Sequence, residues 1–444
     1  MYRRTPLESW VSRKVTAGKM GLNETALTRQ GIADYQLAKL RETIRWARQQ
    51  SPFYARCLGG FSESQLTSLD DLRRLPFTDA NDLRENGLQF LCVPQGEIDR
   101  VVTLESSGTS GEPKRVYFTA EDQELTVDFF QAGMSTLVRA GETVLIALPG
   151  ERPGSVGDLL ATALRRLGAK SVLCGAINDP ATVLEVMTRE QVDCIVGIPV
   201  QMLSLIRHRG EFADIPSRYL TRVLLCSDHV PDSIVRVIQR AWDCEVFEHY
   251  GMTEMGLGGG VDCGAHSGYH LREADLYFEI VDVETGEPVS AGEFGEIVFT
   301  TLTRRGMPFI RYRTGDISRF LPEDCECGTM LRRLERVRTR KTGRVRVGAN
   351  SEITMATLDE ALFGVPRLNE FTATVVHGNP ATLSVTAFTS MQKDGLLRIV
   401  REVLDAVPRI RSAEEAGELK VEVKIADGGI VPRSGKRMIV ERVA

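Results

Sequence analysis

Between residues 143 and 250 the sequence alternates short apolar runs with amphipathic stretches, and this alternation limits the fold more than any other feature. The apolar runs cover residues 143–147, 170–173, 194–198, 222–225 and 245–249, and the clearest helical stretch covers 156–167. Strands that alternate with helices predict βαβ units, which build a parallel sheet covered on both faces. The sequence therefore predicts an α/β fold whose ligands bind beyond the carboxyl ends of the strands.

The segment after the last apolar run carries an aromatic ring, a hydroxyl group and a carboxylate on one short stretch. It consists of Tyr250, Gly251, Met252, Thr253 and Glu254. The ring could stack on a base and the hydroxyl could contact a phosphate. The carboxylate could hold Mg²⁺, which prefers one or two carboxylates together with substrate phosphates. The alternative interpretation is a solvated acid beside a flexible turn.

A second polar stretch, earlier in the chain, combines glycines, hydroxyls and one lysine. Its candidate anion-binding residues are Ser107, Gly108, Thr109, Ser110, Gly111 and Lys114. Glycines let backbone N–H groups approach an anion, and the lysine supplies a mobile positive charge. Extended patterns on both sides predict a loop that joins strand to strand. Pro113 and Arg115 stand where a P-loop requires glycine and a hydroxyl residue, which excludes a P-loop. The alternative to a nucleotide-binding loop is a polar turn.

Two short pairs of potential ligands predict a metal site. Cys263 and His266 form the first pair, and Cys325 and Cys327 form the second. Thiolates and a neutral imidazole are the ligands that zinc prefers, and four of them close a structural site. His270 is the alternative imidazole ligand. The alternative to a metal site is a set of ordinary reduced thiols beside a surface histidine.

Composition narrows the class of protein. The 444 residues are too many for one small core, and the net charge of -5 gives no support for a nucleic-acid partner. No apolar stretch approaches the length of a membrane span or of a signal-peptide core, so we expect a cytoplasmic protein without a membrane partner.

A short cationic run near residue 338 predicts a boundary between a domain at 1–337 and a domain at 338–444.

Taken together, these motifs resemble those of the AMP-forming adenylate ligases, the acyl-CoA synthetase superfamily, and especially its phenylacetate-CoA ligase-like branch. The resemblance also rests on residues 312–316, which read Tyr-Arg-Thr-Gly-Asp, and on residues 431–436, which end in Lys436. It covers nearly the whole chain. It implies a large N-terminal adenylate-forming domain with a β-rich subdomain, followed by a small mobile α+β domain.

The resemblance implies roles for the nucleotide-binding residues. The loop that ends at Lys114 would hold the leaving phosphates of ATP, and Tyr250 would pack against adenine. Ser227 and Asp228, which follow the fourth apolar run, would line the adenine site.

The remaining implied roles concern the metal, the ribose and the chemistry. Thr253 would bind the α-phosphate and Glu254 would coordinate Mg²⁺. Asp316 and Arg336 would bind the ribose. Lys436 would act between the substrate carboxylate and the α-phosphate, where a cation stabilises developing charge.

The implied reaction joins a carboxylic acid to coenzyme A with ATP, through an acyl-adenylate, and releases AMP and pyrophosphate. We expect an aryl or arylacetic acid as the substrate and a structural zinc ion. A homodimer is possible for this chain because dimers are the common soluble assembly. Two alternatives stay open. One is an adenylating enzyme that transfers its acyl group to a carrier protein or an amine, and the other is a non-catalytic nucleotide-binding scaffold.

Overall fold

The computed structural model describes residues 5–17, 27–104, 113–208, 219–389, 395–428 and 437–443. Its α-helices are, in chain order, α1 (Pro6–Thr16), α2 (Arg29–Gln50), α3 (Pro52–Cys57), α4 (Ala80–Asn86), α5 (Ala120–Met134), α6 (Val156–Leu167), α7 (Pro180–Arg189), α8 (Pro199–His208), α9 (Asp232–Trp242), α10 (Met355–Leu362), α11 (Leu396–Asp405) and α12 (Pro408–Glu415). Short 3-10 helices cover Glu63–Gln65, Leu69–Arg74, Gly87–Phe90, Gln95–Glu97 and Thr253–Met255. None of these described helices combines the length and the apolar character needed to cross a membrane.

The strands follow the same chain order. They are β1 (Arg100–Leu104), β2 (Lys114–Phe118), β3 (Thr143–Ala147), β4 (Lys170–Leu173), β5 (Cys194–Gly197), β6 (Arg222–Leu225), β7 (Glu245–Tyr250), β8 (Gly260–Val261), β9 (Tyr269–Leu271), β10 (Leu276–Val281), β11 (Gly295–Thr301), β12 (Tyr312–Ser318), β13 (Arg333–Leu334), β14 (Thr339–Arg340), β15 (Arg344–Arg346), β16 (Glu352–Thr354), β17 (Glu370–His377), β18 (Ala381–Thr389), β19 (Leu419–Asp427) and β20 (Val440–Val443).

The chain divides into two compact units. The first unit comprises Met1–Gly141, Glu151–Ala169 and His249–Val337, and the second comprises Glu142–Gly150, Lys170–Glu248 and Arg338–Ala444. One crossing point lies between Val337 and Arg338, where the sequence predicts a domain boundary. Because the second unit also contains most of the central strands, the division into domains at 1–337 and 338–444 stays a prediction.

The second unit contains the predicted parallel sheet. Strands β4, β3, β5 and β6 lie side by side in that order, and β6 pairs in parallel with the first residues of β7. All residues of β3 and β5 are buried, which explains why these strands appear in the sequence as uninterrupted apolar runs. The predicted α/β fold class is confirmed.

The C-terminal part of the second unit adds antiparallel and mixed β-structure. Strand β15 pairs with β16, and a four-stranded sheet has the order β19, β18, β17, β20. Helix α10 begins at the N-cap Thr354, whose hydroxyl accepts a hydrogen bond from the N–H of Thr357. One apolar core runs through this unit and includes Ile195 of β5, Ile234 of α9 and Phe371 of β17.

The first unit is richer in antiparallel pairs. Strands β1 and β2 pair with each other, β10, β11 and β12 form a sheet in that order, and β8, β9 and β13 pair with one another and with the end of β7. Its core is aromatic, with Phe90, Phe299, Phe309 and Tyr312 buried together. This arrangement places the end of β7 beside the antiparallel strands that carry the other candidate residues.

Candidate active site

Polar side chains from two strands of the first unit converge on Glu254. This residue lies in the 3-10 turn Thr253–Met255, directly after β7, and only 1% of its surface is exposed. Its Oε1 atom forms an ion pair with Nζ of Lys114, the first residue of β2. The same oxygen accepts a hydrogen bond from Oη of Tyr312, the first residue of β12, at 3.0 Å. The ends of β2, β7 and β12 therefore hold one carboxylate.

Glu254 is ionised at neutral pH although it is buried. Burial raises the pKa of this carboxyl group, but the positive charge of Lys114 and the hydrogen bonds from Lys114 and Tyr312 outweigh burial, so that the pKa lies below its ordinary value. Arg304 supports the turn by donating a hydrogen bond from Nη1 to the Glu254 carbonyl oxygen at 2.9 Å. A buried carboxylate beside an ammonium group suits a ligand that brings both a divalent cation and anionic phosphates.

Two further predicted residues, Tyr250 and Asp316, contact each other. The Tyr250 hydroxyl donates a hydrogen bond to Oδ2 of Asp316 at 3.0 Å. The Tyr250 ring stacks on Tyr269, with ring centroids 5.8 Å apart and an angle of 26° between the planes. The left-handed Gly315, at φ 74°, precedes Asp316, and its N–H donates to Glu296 Oε1 at 3.0 Å. This turn fixes the aspartate toward the end of β7.

Gly251 has a steric reason to be glycine. A Cβ atom added there would lie 2.7 Å from the carbonyl oxygen of Leu257 and 2.9 Å from Cα of Gly258, so the chain after β7 folds back on itself only without a side chain. Met252 and Thr253, which continue the segment, are half-buried. The predicted segment is thus a tight, preformed turn that leaves its hydroxyl group partly accessible.

His249, which immediately precedes this turn, faces an apolar environment. Its ring centroid lies 6.4 Å from that of Phe129 and 6.3 Å from that of Phe130. Its Nε2 atom is buried and has no hydrogen-bond partner among the described residues. Burial and the charge of Arg272 lower the pKa of His249 to about 4, so the imidazole is neutral at physiological pH.

Arg336 contacts protein groups of the first unit. Its Nη2 atom donates to Oδ2 of Asp262 at 3.5 Å and to the carbonyl oxygen of His266 at 3.4 Å. The proposed ribose contact of Arg336 stays a prediction.

Ser227 and Asp228 follow β6 in the second unit, at the carboxyl end of the parallel sheet as the sequence predicts. Ser227 is exposed and adopts a left-handed conformation with φ 75°. Oδ1 of Asp228 accepts a hydrogen bond from the N–H of His229 at 2.8 Å. Their proposed contacts with adenine stay predictions.

Some predicted residues lie outside the described part of the chain. These are Lys436 and residues 107–111 of the anion-binding loop, and their roles stay predictions. The strands on both sides of that loop are described, and they pair antiparallel with Leu104 opposite Lys114. The strand-to-strand position of the loop is therefore as the sequence predicts.

Four potential zinc ligands lie together in the first unit. They are Cys263, His270, Cys325 and Cys327, and their ligand atoms all lie within 4.8 Å of one another. His270 Nε2 lies 3.3 Å from Sγ of Cys263 and 3.4 Å from Sγ of Cys327, and the sulfurs of Cys263 and Cys325 are 3.7 Å apart. A hydrogen bond from the Cys263 thiol holds the pKa of Cys327 well below its ordinary value, and His270 adds to this effect.

The structure brings a different histidine to the cysteine sulfurs from the one that the spacing predicts. His266, predicted from its spacing to Cys263, turns away from the sulfurs and places Nδ1 3.1 Å from Oδ2 of Asp262. The chain at His266 is left-handed, with φ 49°, because it makes a turn before β9. His270 then returns on β9 to face the thiols. The alternative ligand named from the sequence, His270, is the one that the fold brings to the cysteines.

Tyr312 and Arg304 contact Glu254 and were not predicted as site residues. For Tyr312 the sequence contained a usable signal. Tyr312, Thr314 and Asp316 are two residues apart on β12, so their side chains share one face of the strand, and that face is buried. Arg304 lies in a connection between strands, and no local pattern singles it out.

Comparison with known proteins gives consistent results. The sequence profile of a family described as "AMP-binding enzyme" matches residues 71–302. Phenylacetate-coenzyme A ligase of Thermus thermophilus is 30% identical over 313 residues, which cover 68% of this chain and 68% of that protein. Phenylacetate-coenzyme A ligase of Pseudomonas putida is 30% identical over 307 residues, which cover 66% of this chain and 67% of that protein. Among solved structures, 2-hydroxyisobutyryl-CoA ligase in its postadenylation state aligns with a TM-score of 0.79 at 20% identity, over 94% of this chain and 90% of that chain.

Proposed function

This chain belongs to the AMP-binding enzyme family, in the phenylacetate-CoA ligase-like branch, and is an AMP-forming acid–CoA ligase with ATP and coenzyme A as substrates; we propose that it works through an acyl-adenylate formed next to Glu254. The observation that carries this proposal is the buried, ionised Glu254 between Lys114 and Tyr312. Its negative charge would hold the Mg²⁺ that accompanies ATP, while Lys114 would turn from Glu254 to the phosphates.

The residues around the turn would orient the nucleotide. Thr253 would donate its hydroxyl hydrogen to the α-phosphate, and Asp316 would accept hydrogen bonds from the ribose hydroxyls. Tyr250 would offer its ring to adenine, and its hydrogen bond to Asp316 would keep the base and ribose contacts in a fixed relation. Arg336 would add a second ribose contact.

The chemistry would proceed in two steps. The substrate carboxylate would attack the α-phosphorus, and pyrophosphate would leave, with Lys436 stabilising the charge on the reacting oxygens. The coenzyme A thiol would then attack the acyl carbonyl, and AMP would leave. Splitting one acylation into two steps gives the thiol an activated acyl group.

We further propose an aryl or arylacetic acid as the substrate. Three relatives that are 30% identical over 303 to 313 residues are phenylacetate-coenzyme A ligases. The buried rings of Phe129 and Phe130 make the surroundings of His249 apolar next to the turn that carries Glu254, and an apolar environment there would suit an aromatic acid.

The test is acid-dependent formation of CoA esters, detected by mass spectrometry, over a panel that pairs each aromatic acid with an aliphatic acid of similar size. Preferential turnover of aromatic acids supports the proposal. Exclusive turnover of aliphatic acids contradicts the substrate class but not the reaction. Pyrophosphate release without any CoA ester would mean that the acyl group is transferred to an acceptor other than coenzyme A.

A structural zinc ion held by Cys263, His270, Cys325 and Cys327 is a separate proposal. Bond lengths of about 2.3 Å to sulfur and about 2.0 Å to nitrogen in a tetrahedron place neighbouring ligand atoms about 3.5–3.8 Å apart. The separations of 3.3, 3.4 and 3.7 Å in the structure are close to these values. The ion would tie the connection before β9 to the segment before β13 and would take no part in the reaction.

Elemental analysis of the purified protein tests the zinc proposal without reference to activity. We expect about one zinc ion per chain. His270→Ala should lose the metal and lower the melting temperature, whereas the matched variant His266→Ala should keep the metal. Retention of zinc by His270→Ala, or loss by His266→Ala alone, would contradict the assignment.

A further inference from the structure

We propose that Asp262 is a positioning residue for Arg336, because its buried carboxylate holds the guanidinium of Arg336 in place before a nucleotide binds. The inference deepens the proposed function and rests on it, since Arg336 is there a contact of the ATP ribose. Neither the sequence motifs nor the comparisons assign a role to Asp262. Both residues lie in the first unit.

Asp262 is a buried acid, and only 1% of its side chain is exposed. Its Oδ1 atom accepts a hydrogen bond from the N–H of Cys263 at 2.8 Å. Its Oδ2 atom lies 3.1 Å from Nδ1 of His266 and 3.5 Å from Nη2 of Arg336. Among the described residues, Arg336 is the one arginine or lysine within 4.0 Å of this carboxylate. A buried carboxylate needs such a counter-charge, so the pair favours one position of the guanidinium.

The loop that follows Asp262 makes a second contact with Arg336. The carbonyl oxygen of His266 accepts a hydrogen bond from Nη2 of Arg336 at 3.4 Å. Arg333 ties the same loop to β13, since its Nη1 atom donates to the carbonyl oxygen and to Oγ of Ser267 at 2.6 and 2.8 Å. The Nη2 atom of Arg336 therefore meets two acceptors, one charged and one neutral, on a loop that the strand itself holds.

The backbone next to Arg336 contacts the strand that carries the proposed ribose contact Asp316. Asp316 and Ser318 are two residues apart on β12 and share one buried face of the strand. On that face, the Ser318 hydroxyl donates a hydrogen bond at 2.7 Å to the carbonyl oxygen of Glu335, the residue before Arg336. Arg336 therefore begins beside the face of β12 on which Asp316 lies.

Strand β9 gives a second reference point for Arg336. Leu334, at the end of β13, is paired with Tyr269 of β9, whose ring stacks on the proposed adenine contact Tyr250. Arg336 is two residues beyond this pair, a distance of at most about 7 Å along the chain. A guanidinium that Asp262 fixes is thus fixed near the residues proposed to bind the nucleoside.

Ordering Arg336 in advance favours nucleotide binding. A free arginine side chain loses rotamer freedom when it contacts a ligand, and ordering one such side chain weakens binding about 3- to 10-fold. The contact with Asp262 removes this cost. A guanidinium has five N–H donors in a fixed fork, so the contact at Nη2 also sets the direction of the other donors. Arg336 keeps 21% of its side chain exposed and can therefore still reach a ligand.

The experiment measures dissociation constants of the full-length protein for Mg-ATP and for the magnesium complex of 2′,3′-dideoxy-ATP. Isothermal titration calorimetry without any carboxylic acid reports binding alone, because no adenylate can form. Asp262→Asn keeps the shape of the side chain and removes its charge. We expect this variant to bind ATP about 3- to 10-fold more weakly and the dideoxy analogue less than about twofold more weakly, because the analogue has no ribose hydroxyl for Arg336 to contact. Arg336→Met should weaken ATP binding about 10- to 100-fold.

The double variant Asp262→Asn/Arg336→Met separates positioning from a general structural role. If Asp262 acts through Arg336, the double variant should bind ATP no more weakly than Arg336→Met alone. Asp275→Asn is the matched control. Asp275 forms a buried ion pair with Arg272 at 2.8 Å in the same unit, so its loss should lower stability without changing the ratio of the two dissociation constants.

Equal weakening of both nucleotides by Asp262→Asn, unchanged binding of both, or additive losses in the double variant would overturn the inference. If Asp262→Asn does not fold, His266→Ala decides, because it removes the ring that contacts Oδ2 of Asp262. It should reduce the preference for ATP over the analogue by at least about twofold, and an unchanged preference overturns the inference.

The same data distinguish this inference from the proposed function. If the wild-type protein does not bind ATP, or if Arg336→Met binds it equally well, the proposed ribose contact of Arg336 is wrong and the inference falls with it. A loss in Arg336→Met without any loss in Asp262→Asn contradicts the role of Asp262 alone and leaves the proposed function intact.

Discussion

Replacing Lys114 with methionine should leave the carboxylate of Glu254 in a buried site without its counter-charge. Removing one partner of a buried ion pair costs about 3–5 kcal/mol. Because Lys114 is 16% exposed and the Tyr312 hydrogen bond to Glu254 remains, we expect the lower end of this range, about 3 kcal/mol at neutral pH. That loss appears as a rise in the pKa of Glu254.

The stability that Lys114→Met loses should depend on pH in a definite direction. In the wild-type protein the pKa of Glu254 is lowered on folding, so its contribution to stability is present above the unfolded pKa and is lost as pH falls through the folded pKa. Without Lys114, burial dominates and raises the pKa above the unfolded value, so the variant loses stability as pH rises from the unfolded pKa to the raised one. The difference between the two proteins should therefore be largest at neutral pH and smallest in acid.

Urea denaturation at pH 5 and pH 8 measures this difference. Lys170→Met is the matched control, because Lys170 pairs with Glu190 at 2.7 Å but is 58% exposed, and removing an exposed pair should cost less than about 1 kcal/mol at either pH. If the loss of unfolding free energy in Lys114→Met is the same at both pH values, or no larger than in the control, Lys114 is not the counter-charge that keeps the buried Glu254 ionised.

Substitutions at Tyr312, Arg311 and His249 give three further predictions. Tyr312→Phe removes a hydrogen bond to the buried Glu254 carboxylate. It should lower the free energy of unfolding by about 1.5–3 kcal/mol in urea denaturation and raise KM for Mg-ATP in steady-state kinetics. Arg311→Met removes the two-bond ion pair with Glu279 at 3.0 and 3.2 Å and should cost about 3–5 kcal/mol in the same denaturation assay. Because the pKa of His249 is lowered to about 4, His249→Gln should leave the pH–rate profile between about pH 6 and pH 8 unchanged while altering the selectivity among acids.

The central sheet could be predicted from the sequence because a strand that is buried on both faces needs apolar residues at every position. Strands β3 and β5 are buried along their whole length, so their residues are apolar without interruption. The position of Gly251 and Glu254 after the end of β7 was also predictable, since the last apolar run ends directly before this segment.

Contacts between distant parts of the chain could not be predicted in this way. Lys114 and Glu254 are 140 residues apart, and no local pattern indicates that their side chains meet. The choice between His266 and His270 also depends on a turn and on the pairing of β9 with β8 and β13, which the spacing of cysteines does not contain. The spacing of cysteines and histidines predicted a group of possible metal ligands, and the fold determines which histidine lies beside the cysteines.

Adenylate formation by this chain is measured as acid-dependent pyrophosphate release from Mg-ATP by the wild-type protein, by Glu254→Gln and by Lys436→Ala. We expect release that requires a particular carboxylic acid and that falls by at least about 100-fold in both variants, because each removes a charge aimed at the transition state. If release is unchanged in both variants, or occurs without any acid, Glu254 and Lys436 do not have the proposed roles in adenylate formation.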